Sequence, residues 1–342
     1  MIVIDGSEGE GGGQVLRTAL SLSLVTGKPF RIEKIRANRS RPGVMRQHVT
    51  AVEAACAIGG AECEELAVGA SELTFTPGKV TPGEHRFAVG TAGSTGLVLQ
   101  TILPPLMLAE APSRLILEGG THNIYAPPFD FLDRVFLPIL NRMGPGVSAT
   151  LLRPGFYPAG GGRIEVEIEP CRTLSRLDLL ERGELRSVLA RAVVAALPEE
   201  IAVRELAAVE KILGWPGESR RIEQLPENCG PGNILMLEAV FEHATELVSA
   251  FGKLGVPAET VGEQAAKRMA GYLASPAAAG PYLADQLLLP FALAGGGSFT
   301  TVKPSQHCRT AAQVISRFLD VDIGFDAKDA GCHLVTVRTR GR

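Results

Sequence analysis

The chain has 342 residues, 45% of them hydrophobic and 21% charged, with a formal net charge of −3. That composition supports a buried core and excludes global disorder, and the length suits two domains or one large domain carrying an insertion. A slightly acidic chain is not held to nucleic acid by bulk positive charge, so any polyanion must meet a local basic patch.

The N-terminal stretch MIVIDGSEGEGGGQVLR reads as strand, glycine-rich loop and helix. It turns polar after four apolar residues, unlike a signal peptide. Gln14 occupies the place of the last glycine of a GxGxxG fingerprint, and no Gly-Lys-Ser/Thr follows, so neither common nucleotide loop is present. The glycines permit close backbone approach to a ligand at a helix N-terminus. Glu8 and Glu10 would repel a bare phosphate unless a divalent metal lay between. A tight turn with solvated glutamates is the other reading.

A half-buried strand, FRIEKIRA, follows, and then RANRSRPGVMRQH, which places Arg36, Arg39, Arg41 and Arg46 within eleven residues. This is the sharpest local charge anomaly in the chain, and arginine forks match phosphate oxygens. A solvated loop face is the plainer reading, and Arg17 near the glycine loop weighs against it. His48, on the helix that follows, suits either core or site.

GLVLQTIL (96–103) matches GQVLRTAL (13–20) at five of eight positions, 83 residues earlier. A weaker third copy, DQLLLPFAL (285–293), aligns when Gln286 is set on Gln14. Each copy is an apolar helix followed by a second helix that opens near a proline. Alternating segments such as SRLILEGG lie between them as strands. The third copy arrives 189 residues after the second, one unit plus 106 residues, and the excess marks an inserted domain at 181–276. Within it PEEIAVRELAAVEKIL and PAETVGEQAAKRMAGYL predict helices and NILMLEAVFE a buried strand. LASPAAAG reads as the hinge back to the main body. His122, in GGTHNIYAPP, is a loop histidine. His85, His243 and His333 have no partners at metal-ligand spacing.

GPYLADQ (280–286) puts Tyr282, Asp285 and Gln286 at the mouth of an apolar helix. Tyrosine can stack on a base and the other two can pair with base or ribose edges, although Asp285 also suits a helix cap. In KPSQHCRTAAQVISRFL (303–319), Thr310 and Gln313 form a capping-box pattern that predicts a helix start there, leaving His307 on the preceding loop. The six cysteines contain no CxxC pair and read as reduced thiols of a cytoplasmic protein. Cys308 beside His307 raises a Cys/His nucleophile, against which chain neighbours seldom point together.

Taken together, DGSEGEGGGQVLRTALSLS, RPGVMRQHVTAV, GTAGSTGLVLQT, GFYPAGGG, YLADQLLLPFALAG and KPSQHCRTAAQVISRFL resemble the signature stretches of the RNA 3′-terminal phosphate cyclases, in order from Asp5 to about Leu319. The resemblance implies an α/β (α+β) fold. A main domain (1–180 and 277–342) would hold three βαβαββ-like units, each similar to the C-terminal domain of translation initiation factor 3, around a smaller α/β insert (181–276). It implies a cytoplasmic enzyme of ligase type that uses ATP and a divalent metal (Mg or Mn). A histidine, here His307, takes AMP from ATP and passes it to an RNA 3′-phosphate. The vicinal 2′-hydroxyl then closes a 2′,3′-cyclic phosphate. By the same resemblance Gln100, Tyr282, Leu283, Ala284, Asp285 and Gln286 line the adenosine pocket, while Glu10 faces metal and triphosphate. Arg17, Arg36, Arg39 and Gln47 would handle phosphates of ATP or of the RNA end. No membrane and no obligate protein partner are implied. Two alternatives share the architecture: non-catalytic cyclase-like factors of ribosome biogenesis, and enolpyruvyl transferases of the shikimate type. The histidine motif speaks against both.

Overall fold

Short alternating segments and longer segments of helical period fold into a mixed α/β structure, described for residues 1–341 in a computed structural model. The first sheet is built from β1 (Ile2–Asp5), α1 (Gly13–Thr26), β2 (Phe30–Glu33), α2 (Arg46–Gly59), β3 (Glu62–Cys63) and β4 (Leu73–Thr76). Its strand order is β1-β2-β4-β3, with β1 and β2 parallel and the other pairings antiparallel. Parallel neighbours need a crossover, and α1 supplies it.

The second sheet repeats that plan. It comprises β5 (Glu84–Ala88), α3 (Thr95–Leu106), β6 (Ser113–Gly119), α4 (Phe129–Phe131), α5 (Leu137–Asn141), β7 (Gly146–Arg153) and β8 (Gly162–Glu169), in the order β5-β6-β8-β7. A π-helical turn, Leu132–Phe136, joins α4 to α5. Next comes β9 (Leu177–Leu179), which pairs in parallel with a strand more than a hundred residues further on.

Between them lie β10 (Leu185–Ala195), α6 (Glu200–Leu213), β11 (Arg220–Leu225), β12 (Gly232–Phe241), β13 (Thr245–Phe251) and α7 (Ala258–Ala274), forming a separate sheet in the order β11-β10-β12-β13. The chain then returns through α8 (Pro281–Leu293), β14 (Gly296–Thr301), α9 (Gln306–Phe318), β15 (Val321–Ala327) and β16 (His333–Thr339). The resulting sheet, β15-β16-β14-β9, has the strand order of the first two read from its other edge.

These elements bury two cores. The larger joins all three similar sheets and includes Leu16 and Leu20 of α1, Ile102 of α3, Phe291 of α8 and Ile315 of α9. Phe318 meets Phe30 edge-on at 6.0 Å between ring centroids, tying α9 to β2. Full burial of such a side chain is worth roughly 1.5–3 kcal/mol. The smaller core, with Leu206, Trp215, Leu235, Met269 and Tyr272, belongs to the 185–274 elements. Charged pairs bridge the two: Asp130 meets Arg191, and Arg134 reaches Glu238 at 2.5 Å.

The segment expected to be a hinge is instead built into the structure. Ala277, Ala278 and Ala279 have no exposed surface, and Ala278 N donates to Thr300 Oγ1 at 2.9 Å. Small side chains let this strand-like stretch pass between the cores, which the Pro/Ala/Gly pattern alone does not distinguish from a loose linker.

Candidate active site

The site is organised by the N-terminus of α9, which starts four residues before the expected Thr310. Ser305 is the cap, its hydroxyl accepting from Cys308 N at 3.0 Å. His307 therefore lies within the first helical turn, not on the loop before it. Thr310, buried at 2% exposure, serves another purpose: its hydroxyl accepts from Glu10 N at 2.9 Å and fastens the glycine loop to the helix. The approach is close enough that a Cβ on Gly9 would collide with the Thr310 side chain, and Gly9 has a φ of 63°. Only glycine satisfies both demands. Arg317, two turns along α9, anchors the same region through Val3 O at 2.9 Å and Glu8 at 2.7 Å.

His307 Nδ1 lies 2.9 Å from Gln14 Oε1, on the first turn of α1. An amide oxygen only accepts, so Nδ1 carries the proton and Nε2 keeps its lone pair. Glu10 Oε2 is 3.1 Å from the same nitrogen but receives no hydrogen bond of good geometry. Burial lowers the His307 pKa from its ordinary value of 6.5; nearby Asp285 opposes this, and Arg39 and Arg17 add to the lowering. The imidazole is thus neutral at pH 7. A helix N-terminus, where backbone N–H groups point outward, disfavours its protonation further and offers donors to an anion.

Gln14 also lines a cavity shared with Arg17, Gln100, Asp285 and Gln286, to which Met107 and Phe136 add apolar surface. The three aligned helical segments converge on it: Arg17, Gln100 and Leu289 occupy the same position of each and all border the cavity. Burial pushes the Asp285 carboxyl up to about 7, against the pull of His307 and Arg17. Burial lowers Arg17 to about 10, with Asp285 opposing, so Arg17 stays cationic at neutral pH. Gln286 Oε1 is buried without a donor. Apolar surface beside a cation and open acceptors suits a ligand with a flat ring at one end and anionic oxygens at the other.

The other expected residues divide. Arg39 pairs with the Glu10 carboxylate and also donates to Glu10 O at 3.2 Å, so it borders the histidine. Arg36 is committed to its own loop, donating to Arg41 O at 2.7 Å and Gly43 O at 2.6 Å. Gln47 accepts from Ser94 N at 3.4 Å, at the seam between the first two sheets. Leu283 and Ala284 face the core, with 0% and 1% exposure. Tyr282 is in the first turn of α8 rather than on a loop, and outside the cavity lining. Because α8 begins at Pro281, Asp285 is no cap.

The competing nucleophiles are closed off. Cys308 is fully buried and its thiol is pushed up to about 12 by burial. His48 Nδ1 accepts from Met45 N at 2.9 Å inside α2, and burial lowers its pKa to about 3. His122 is buried against Asp130 at 3.1 Å. Gln14, Met107 and Phe136 are among what the sequence reasoning missed. Gln14 was visible only as the residue that breaks a glycine fingerprint. No local pattern separates Phe136 from ordinary core.

The profile described as RNA 3′-terminal phosphate cyclase matches residues 8–325. The RNA 3′-terminal phosphate cyclase of Koribacter versatilis is 56% identical over 342 residues, all of this chain and 96% of the relative. That of Ralstonia nicotianae is 51% identical over 328 residues, covering 96% and 94%. The Salmonella enteritidis protein of the same name is 48% identical over 337 residues, 98% of each.

Proposed function

The chain belongs to the RNA 3′-terminal phosphate cyclase family, and from that premise we propose that it converts an RNA 3′-terminal phosphate into a 2′,3′-cyclic phosphodiester at the expense of ATP, with His307 as the nucleophile. The observation that carries this is the neutral imidazole at the α9 N-terminus, its Nδ1 engaged by Gln14 and its Nε2 free.

In the first step Nε2 attacks the α-phosphorus of ATP. The bond to the β-phosphate oxygen breaks, pyrophosphate leaves, and a phosphoramidate joins AMP to His307. An oxygen of the RNA 3′-phosphate then attacks the adenylate phosphorus and frees the imidazole. Finally the vicinal 2′-hydroxyl attacks the activated 3′-phosphorus, loses its proton, and expels AMP. Little covalent help is needed at phosphorus beyond position and charge neutralisation. The adenine rests on the apolar side near Met107 and Phe136, with the Tyr282 ring closing over it from the start of α8, Gln100 and Gln286 at its polar edge and Arg17 toward the phosphates. Arg39 neutralises phosphate charge beside His307.

A divalent ion fits this chain through Glu10. Its Oε2 is a buried oxygen without a donor, and one carboxylate with substrate phosphates is a usual set for Mg or Mn. Among the described residues no cluster of three or more His, Cys, Asp or Glu is present that would cage a metal by protein alone. When bound, the ion supplies charge neutralisation on the phosphates.

The three sheets of shared strand order are three copies of one βαβαββ unit in our reading, and 181–276 is a domain inserted into the third. The separate core of 185–274 supports this. Six free cysteines, and no helix long and apolar enough to span a membrane among the described residues, are in keeping with work in the cytoplasm. The test is the product from a 3′-phosphorylated oligoribonucleotide with ATP and Mg. A phosphatase-resistant 2′,3′-cyclic end is expected; an unaltered end would leave the non-catalytic binding factor as the better reading.

A further inference from the structure

Helix α8 carries Tyr282, Asp285, Gln286 and Leu289 on one face, at spacings of three, four and seven residues. The last three border the cavity, and Tyr282 extends the stripe past its rim with a ring 45% exposed. A tyrosine so placed has two side-chain torsions to be fixed, and a residue of the other core contacts its ring and hydroxyl. Arg268, on α7, donates to Tyr282 Oη at 3.2 Å, and its guanidinium carbon lies 5.4 Å from the ring centroid. The other branch of that guanidinium donates to Ser249 O on β13 at 3.0 Å, so the arginine is itself held in place.

A second contact from the same strand acts on the same helix end. Glu246 of β13, 1% exposed, accepts from Gly280 N at 3.0 Å. Gly280 is the N-cap of α8, and no side chain of its own caps the helix. The carboxyl group of Glu246 fills that place through its acceptor oxygen, and a Cβ on Gly280 would collide with it. Burial pushes the Glu246 carboxyl up to about 8, against the opposing pull of Gly280 N–H, Arg268 and Arg182, whose guanidinium donates to Tyr272 O and Leu273 O at the end of α7.

We propose that the inserted domain is part of the nucleotide site, with Arg268 as the positioning residue that holds the Tyr282 ring for the adenine and Glu246 fixing the helix end that carries it. The inference rests on the reading, carried by the family resemblance, that Tyr282 serves the adenosine pocket, with its ring beside the cavity and not in its lining. It gives the insert a task in the first half-reaction: ATP affinity depends on a side chain contributed from outside the three-sheet body.

The experiment is a double-mutant cycle on full-length protein, measuring the rate of histidine adenylylation against ATP concentration for Arg268→Ala, Tyr282→Ala and the pair. Arg268 is exposed, so its removal leaves the fold intact. Loss of one hydrogen bond and one exposed cation–ring contact raises the KM for ATP about five- to tenfold, with kcat nearly unchanged. In the Tyr282→Ala background the same substitution adds nothing, and Arg268→Lys restores part of the affinity because the charge over the ring survives. A Tyr282→Ala protein with an unchanged KM would overturn the pocket assignment and this inference together. A raised KM in Tyr282→Ala but not in Arg268→Ala, or two effects that multiply in the pair, would overturn the inference alone.

Discussion

Replacing Gln14 with alanine removes the acceptor that keeps the proton on His307 Nδ1. The 2.9 Å contact joins neutral groups, and such a bond contributes about 1 kcal/mol net. Glu10 Oε2, at 3.1 Å from the same nitrogen, can take over with a small rotation, so the loss does not exceed that value. One kilocalorie corresponds to about a fivefold slower adenylylation. Gln14→Glu acts in the opposite electrostatic sense. A second carboxylate at Nδ1 favours the imidazolium, raises the pKa that burial has lowered, and moves the rising limb of the pH–rate profile upward. The assay is the pre-steady-state rate of protein labelling by α-labelled ATP between pH 5 and 9. Wild-type rates in Gln14→Ala, together with an unmoved profile in Gln14→Glu, would refute the claim that Gln14 sets the tautomer.

Three other outcomes follow from the same structure. In wild-type protein, adenylylation should rise with pH through a midpoint below 6.5, since only neutral His307 attacks; a midpoint above 7 contradicts the lowered pKa. Arg39→Ala should slow transfer of AMP to RNA more than formation of the adduct, whereas Arg36→Ala should lower the thermal midpoint by releasing two loop carbonyls, a loss of about 1–2 kcal/mol; equal kinetic defects in both would show that neither division holds. Glu205 of α6 is fully buried and its carboxyl is pushed up to about 7, so the folded state holds a proton that the unfolded state has released, and stability falls as pH rises from about 4.5 to about 7. Glu205→Gln, which can also donate to the unpartnered Asn233 Oδ1, should therefore stabilise by about 3 kcal/mol at pH 8 and little at pH 4 in thermal melts.

Local pattern and long-range packing contributed differently to what could be read in advance. The helices and strands around the repeated GQVLRTAL and GLVLQTIL segments were legible because their periodicity reports a face to be buried. The 106-residue excess in spacing is the sequence basis for the insertion proposed at 181–276. The start of α9 was misplaced because two hydroxyl residues, Ser305 and Thr310, compete for the cap in any local reading. What removes Thr310 from contention is a bond to Glu10, 300 residues away in sequence. Arg36 and Arg39 look alike in a charge count, yet Arg36 adopts a φ of 55° and turns its fork back on its own loop. Gln14 carried no signal of its own, since its importance comes from the imidazole that packing brings to it.

In the proposed reaction the protein is transiently joined to AMP through His307. Incubation with α-labelled ATP and Mg, followed by peptide mapping of the acid-labile label, tests it directly in wild type and in His307→Asn. The amide keeps a hydrogen-bonding group but cannot form a phosphoramidate. The expected result is label on the peptide containing His307 in wild type and none in folded His307→Asn. Undiminished labelling of the variant, or label mapped to a peptide lacking residue 307, would contradict the mechanism.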